Sequence, residues 1–142
     1  MRQPRPPRAA LVVDTSGSVT DEMLARVHAE TAAVLRRSHG GGVQVIACDA
    51  AASEARLVRR VQDVVIVGGG GTDLRVGVAA AAALRPAVDL VIVATDGDTP
   101  WPDAPPRENP TATYAVLLLD GERAGVPAWM RTIAVPRRPD DR

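Results

Sequence analysis

Two uninterrupted apolar runs, Ala9-Ala10-Leu11-Val12-Val13 and Leu90-Val91-Ile92-Val93-Ala94, constrain this chain more than any other feature. Neither alternates apolar with polar residues, as a strand with one wet face would. A short continuous run marks a strand covered on both faces, the usual condition of a parallel sheet. Parallel neighbours need a crossover between them, and the sequence supplies helices for it. Thr20 reads as an N-cap, with Asp21 and Glu22 at the positive end of the helix dipole. Met23, Leu24, Val27, Thr31, Val34 and Leu35 then recur at helical spacing, and Gly40-Gly41-Gly42 is expected to stop the helix.

The rest of the chain continues the alternation. Val43–Cys48 is expected as a second strand, and Ala55–Arg60 as a third, more polar and at an edge. A short apolar run, Val64–Val67, leads into Gly68-Gly69-Gly70-Gly71-Thr72-Asp73. An Ala-rich helix is expected from Leu74 to Leu84, ended by Pro86, before the strand Leu90–Ala94. A proline-dense loop fills Pro100–Pro110. Thr113–Leu119 is a strand, Ala124–Met130 is expected to hold one helical turn, and Thr132–Val135 is a last short strand. Strands alternating with helices imply right-handed βαβ crossovers and an α/β, doubly wound, Rossmann-like three-layer sandwich. The expected organisation is a flexible lead-in over 1–8, one domain over 9–135 and a flexible tail over 136–142. A length of 142 residues suits one domain.

In open α/β sheets, ligands bind beyond the carboxyl ends of the strands, where strand order reverses. Three polar clusters fall just after strands or strand-like runs: Asp14-Thr15-Ser16-Gly17-Ser18, Thr72-Asp73, and Thr95-Asp96-Gly97-Asp98. Their carboxylates and hydroxyls are hard oxygen ligands, suited to Mg²⁺, Mn²⁺ or Ca²⁺ rather than zinc or copper.

The pattern Asp-x-Ser-x-Ser, then a distant Thr, then a distant Asp, resembles the metal-ion-dependent adhesion site (MIDAS) of von Willebrand factor A (VWA) domains. Asp14, Ser16, Ser18, Thr72 and Asp96 occupy its five positions. Gly69-Gly70-Gly71-Thr72-Asp73-Leu74 and Thr95-Asp96-Gly97-Asp98-Thr99-Pro100-Trp101-Pro102 are also similar to the VWA-like domain at the C-terminus of a bacterial family described as predicted metallopeptidases. The similarity covers about residues 9–135. It implies the VWA fold: a mainly parallel central sheet with one antiparallel edge strand. It also implies a non-enzymatic, divalent-metal-binding module that takes a carboxylate from a protein partner. Proteins of this type are often associated with MoxR-type AAA+ ATPases, so the implied partner is such an ATPase or a metallopeptidase-like domain. The peptidase activity itself does not carry over, because the sequence has no His-Glu-x-x-His.

On the residues alone, Ser16, Ser18 and Thr72 would supply hydroxyls to the ion, and Asp14 and Asp96 would bind directly or through water. Asp73 reads as a helix cap that also supports the ligands. Asp98 is a solvated loop residue or a further support. Trp101, between two prolines in a chain with only 2% aromatic residues, either contacts a partner or covers a core edge. Trp129 reads as core packing.

Plainer readings stand beside these. Asp14-x-Ser-x-Ser alone is also a common turn and cap pattern. An Asp14 nucleophile would make the chain a metal-dependent hydrolase or phosphotransferase. The haloacid-dehalogenase pattern, however, needs a second Asp where Ser16 stands, and the chain has no Lys to stabilise a phosphoryl group. Gly68–Gly71 lacks the Gly-Lys-Ser/Thr of a phosphate loop. A vestigial, purely structural site is the remaining alternative.

Asp49 is a further rim candidate. Cys48, the only cysteine, reads as a small buried hydrophobe. His28 reads as a surface or half-buried helix residue, and His39 as a partner of the helix's C-terminal dipole. Zero formal net charge argues against a nucleic-acid partner. The apolar stretch after the basic, Pro-rich start is too short for a signal peptide or membrane span, which leaves a cytoplasmic expectation.

Overall fold

The computed structural model describes residues 5–14, 20–48, 55–64, 73–97, 99–119 and 125–133. Among these residues six strands form one sheet: β1 (Ala9–Asp14), β2 (Val43–Ala47), β3 (Arg56–Val58), β4 (Leu90–Thr95), β5 (Thr113–Leu118) and β6 (Arg131–Thr132). Their order is β3-β2-β1-β4-β5-β6, and every pairing is parallel except the antiparallel edge pair β2–β3. Among the described residues two helices, α1 (Asp21–Arg37) and α2 (Leu74–Ala82), make the crossovers from β1 to β2 and from β3 to β4. The expected doubly wound α/β sandwich with one antiparallel edge strand is the fold observed.

The continuous apolar strands are buried on both faces for a simple reason: successive side chains point to opposite sides. From β1, Ala9, Leu11 and Val13 join Val27 and Val34 of α1 in one core. Ala10 and Val12 join Leu74, Val78 and Ala81 of α2 in the other. Leu74 is fully buried, so its truncation to Ala is expected to cost about 2–5 kcal/mol.

The approach of α2 is set by Gly77. A Cβ there would collide with Cys48 Sγ and would lie 2.7 Å from Val12 Cγ1. A glycine is therefore what lets the helix press against β1 and the end of β2. Cys48 is buried as expected, and burial, the largest cause, pushes its thiol up to about 12.

Thr20 caps α1, its Oγ1 accepting from Met23 N–H at 3.1 Å. The helix ends earlier than the glycine run suggested, because Ser38 and His39 terminate it. Ser38 Oγ donates to Leu35 O at 2.8 Å, and His39 adopts the left-handed conformation, φ 51°. His28 is half-buried, with Nε2 3.3 Å from Val64 O.

Several boundaries differ from expectation. β3 is only three residues long, and α2 ends at Ala82 rather than Leu84, with Ala83 as its cap. Pro86 lies beyond the true end, so it marks a limit rather than the stop. Between β3 and α2, a 3₁₀ turn, Val61–Asp63, precedes the buried Val64, and residues 65–67 of the expected apolar run are outside the described residues. The expected helical turn over Ala124–Met130 is absent among the described residues 125–130, which form turns. The last strand falls at Arg131–Thr132, one residue earlier than expected, where it pairs with Ala115 and Val116.

Candidate functional site

Strand order reverses at β1. The chain first moves outward through β2 and β3, then crosses by α2 to place β4 on the other side of β1. The crevice between the carboxyl ends of β1 and β4 is therefore the topological switch point, where ligands bind in such folds. Asp14 ends β1 and stands in register with Thr95, the last residue of β4. Asp96 follows directly. Two of the five residues in the metal-site pattern are thus brought to one crevice by the sheet register.

Asp14 has an unusual environment. It is 3% exposed, and its Oδ1 is buried without a hydrogen-bond partner. A buried polar atom without a partner costs free energy, and buried carboxylates are normally hydrogen-bonded or paired. Burial is the largest influence on its carboxyl and raises it to about 6. The negative charges of Asp96 and Asp73 push in the same direction, while a hydrogen bond with the Thr99 side chain pulls it down. A bound cation would reverse the sign of the local electrostatics.

Asp73 is the N-cap of α2. Its carboxylate accepts from Arg75 N–H at 3.0 Å and from the Arg75 guanidinium at 2.7 Å. Hydrogen bonds to the Arg75 side chain hold its carboxyl below the usual range. The capping role expected of it is thus observed. Asp96 is half-buried.

Thr99 was not singled out by the sequence reasoning, yet it joins three elements of the site. Its Oγ1 accepts from Leu74 N–H, in the first turn of α2, at 3.3 Å. Its hydroxyl also donates to the Pro100 carbonyl at 3.2 Å, and it acts on the Asp14 carboxyl, which it pulls down. The only sequence signal was its place three residues after Asp96, in a loop with no periodicity to read.

Trp101 is half-buried and packs against the α2-side core, with its Nε1 close to Gly125, where a Cβ would stand 3.0 Å away. Trp129 packs as expected, edge-on to Tyr114 at 5.5 Å, and donates to Pro102 O at 3.0 Å. Ser16, Ser18, Thr72 and Asp98 lie outside the described residues, as do Asp49 and Gly68–Gly71. Among the described residues, no group of three or more His, Cys, Asp or Glu side chains could hold a metal ion. The five-residue pattern contains only two carboxylates, so most of its oxygen donors would be hydroxyls.

The family model for the VWA-like domain (DUF2201) matches residues 9–135. The chain belongs to this VWA-like domain family. No curated protein matches it. Family membership accords with the sheet order and with the antiparallel edge strand β3, and it supports a general role as an interaction module. No helix among the described residues of this VWA-like domain is long and apolar enough to cross a membrane.

Proposed function

We propose that this VWA-like domain is a non-enzymatic protein-interaction module that works through a bound divalent cation. The observation that carries the reading is Asp14: a buried carboxylate with an unpartnered oxygen, beside Asp96, at the sheet's switch point. A hard cation such as Mg²⁺, or Mn²⁺ or Ca²⁺, would satisfy that oxygen and remove the mutual repulsion of the carboxylates. In this reading Asp14, Ser16, Ser18, Thr72 and Asp96 are the MIDAS-type ligands. The mostly neutral hydroxyl ligands keep the ion electrophilic, so that a partner's carboxylate completes its coordination. In this proposal Asp73 and Thr99 support the ligand loops, Asp98 is a further support or partner contact, and Trp101 contributes apolar contact next to the ion.

The resemblance to the C-terminal domain of bacterial metallopeptidase-like proteins extends the proposal to the partner. It is a MoxR-type AAA+ ATPase or a metallopeptidase-like domain that offers an acidic residue. The setting is cytoplasmic, without nucleic-acid or membrane partners, in keeping with the zero net charge.

Thermal unfolding in EDTA and in millimolar Mg²⁺ tests the metal. A ligand at a hundred times its dissociation constant stabilises the folded state by about 2.7 kcal/mol. The expected result is an upward shift of Tm that Asp14→Ala abolishes. Coincident curves for the folded wild-type protein would overturn the reading. Capture of a purified MoxR-type ATPase with and without Mg²⁺, compared with Asp14→Ala, tests the partner.

A further inference from the structure

At the end of the sheet opposite Asp14, the starts of β1 and β2 border a cavity of about 300 Å³. Its charge is one-sided. Arg5, Arg8 and Arg85 line it, and none of the described residues lining it is acidic. Leu57 and Leu84 contribute apolar surface. Leu57 is 43% exposed, one of two large hydrophobic residues left exposed among those described.

The wall of this cavity is built rather than incidental. Asp89, just before β4, accepts two bonds from the Arg5 guanidinium, at 2.7 and 2.8 Å, and a third from Arg8 N–H at 2.8 Å. The backbone N–H of Asp89 returns a bond to Arg8 O at 2.8 Å. The stiff Pro6-Pro7 pair between these anchors fixes the strap along the cavity.

Arg85 is oriented by backbone carbonyls: it donates to Leu84 O at 2.7 Å, to Glu108 O at 3.1 Å and to Ala82 O at 3.2 Å. None of those bonds goes to a carboxylate. Among the described residues, only Asp89 gives a carboxylate bond to any of the three guanidinium groups lining the cavity, and the lining is left positive.

We propose that this cavity is a metal-independent docking site for an acidic peptide segment. An apolar side chain of the segment enters against Leu57 and Leu84, and flanking carboxylates meet Arg8 and Arg85. Arginine suits this role because its planar fork binds carboxylates through paired hydrogen bonds. The volume lies at the lower end of ligand-pocket sizes, which fits one bulky side chain rather than an extended ligand. A wall already held by Asp89 reduces the ordering cost of binding.

The full chain is tested against an array of short peptides, each with one Leu, Ile or Phe flanked by Asp and Glu. A matched array carries Lys in place of the acids. The acidic set is expected to bind, unaffected by EDTA or by Asp14→Ala, and more weakly as salt rises. Arg8→Glu alters an exposed side chain, and its affinity for the acidic set should fall roughly tenfold with an unchanged melting curve. Arg85→Gln should weaken binding as well, and gives a second reading with a milder change of charge. Absence of acidic-peptide binding, equal binding of the Lys set, or undiminished binding by both variants would overturn the proposal. Binding lost in EDTA would move the peptide to the Asp14 end and would overturn it too.

Discussion

Asp14 and Asp89 sit at opposite ends of the same sheet and illustrate two fates of one side chain. Asp89 is met by the Arg5 guanidinium and the Arg8 backbone, and those contacts hold its carboxyl below the usual range. Asp14 is buried with an unpartnered oxygen and two other carboxylates acting on it, and it is pushed up to about 6. One aspartate is a finished structural clasp. The other is a cost that the fold carries, and such costs gather where a ligand is to be bound.

Acid titration of the metal-free protein should give the largest effect. The Asp14 carboxyl is raised in the folded state, so its contribution to stability is fully present below its unfolded value, 3.8, and is lost as pH rises through about 6. The displacement corresponds to roughly 3 kcal/mol between the two protonation states. Urea unfolding in EDTA should therefore show stability falling from pH 4 to pH 7, and saturating Mg²⁺ should flatten that fall. A metal-free protein with constant stability over this window would erase the contrast between the two aspartates.

The second prediction concerns Asp14→Asn, which removes the charge at nearly constant shape. At pH 7 in EDTA it should be more stable than the wild type by about 1–2 kcal/mol, because the buried anion is gone. The same variant should lose most of the dependence on pH above 4.

Thr99→Val comes next. It leaves Leu74 N–H without its side-chain acceptor and removes the hydroxyl that pulls the Asp14 carboxyl down. The expected loss is about 1 kcal/mol in chemical unfolding, together with an upward move of the Asp14 titration followed by carboxyl NMR.

The smallest effect belongs to Asp89→Asn. The Arg5–Asp89 pair is half-exposed, 50% and 42%, so its loss should cost under about 1 kcal/mol at pH 7. Its sign is opposite to that of Asp14. A depressed carboxyl contributes stability above 3.8 and loses it as pH falls through its folded value, so wild type and variant should converge in strong acid.

The two ends also differ in how far the sequence disclosed them. Asp14 and Asp96 were legible because each stands within two residues of the end of an apolar run, and parallel strands deliver their last residues to one edge. The mainly parallel character of the sheet and its burial on both faces followed from the same runs, and Thr20 marked the start of α1 through its capping chemistry. The basic cavity was not legible. Arg5 and Asp89 are 84 positions apart, and only the fold makes them neighbours. The lead-in over 1–8 read as loose because no local pattern held it, whereas its last residues are fastened by a distant carboxylate. Thr99 escaped for the same reason: its bonds depend on where α2 arrives, and no local periodicity carries that information. Short elements such as Arg131–Thr132 were misplaced by a residue or more, since two paired residues leave too little pattern to fix a boundary.

Gly77 and Cys48 give the molecule a built-in stopwatch. The helix packs closely over the thiol, the residue is 5% exposed, and burial keeps the sulfur protonated near neutrality. Labelling at Cys48 is expected to proceed through molecules in which the packing around the thiol, including α2, has opened. Under fast closing, its rate counts the open population. One cysteine thus lets the opening of this face be timed without a second probe, while the acidic crevice and the basic cavity are changed one at a time.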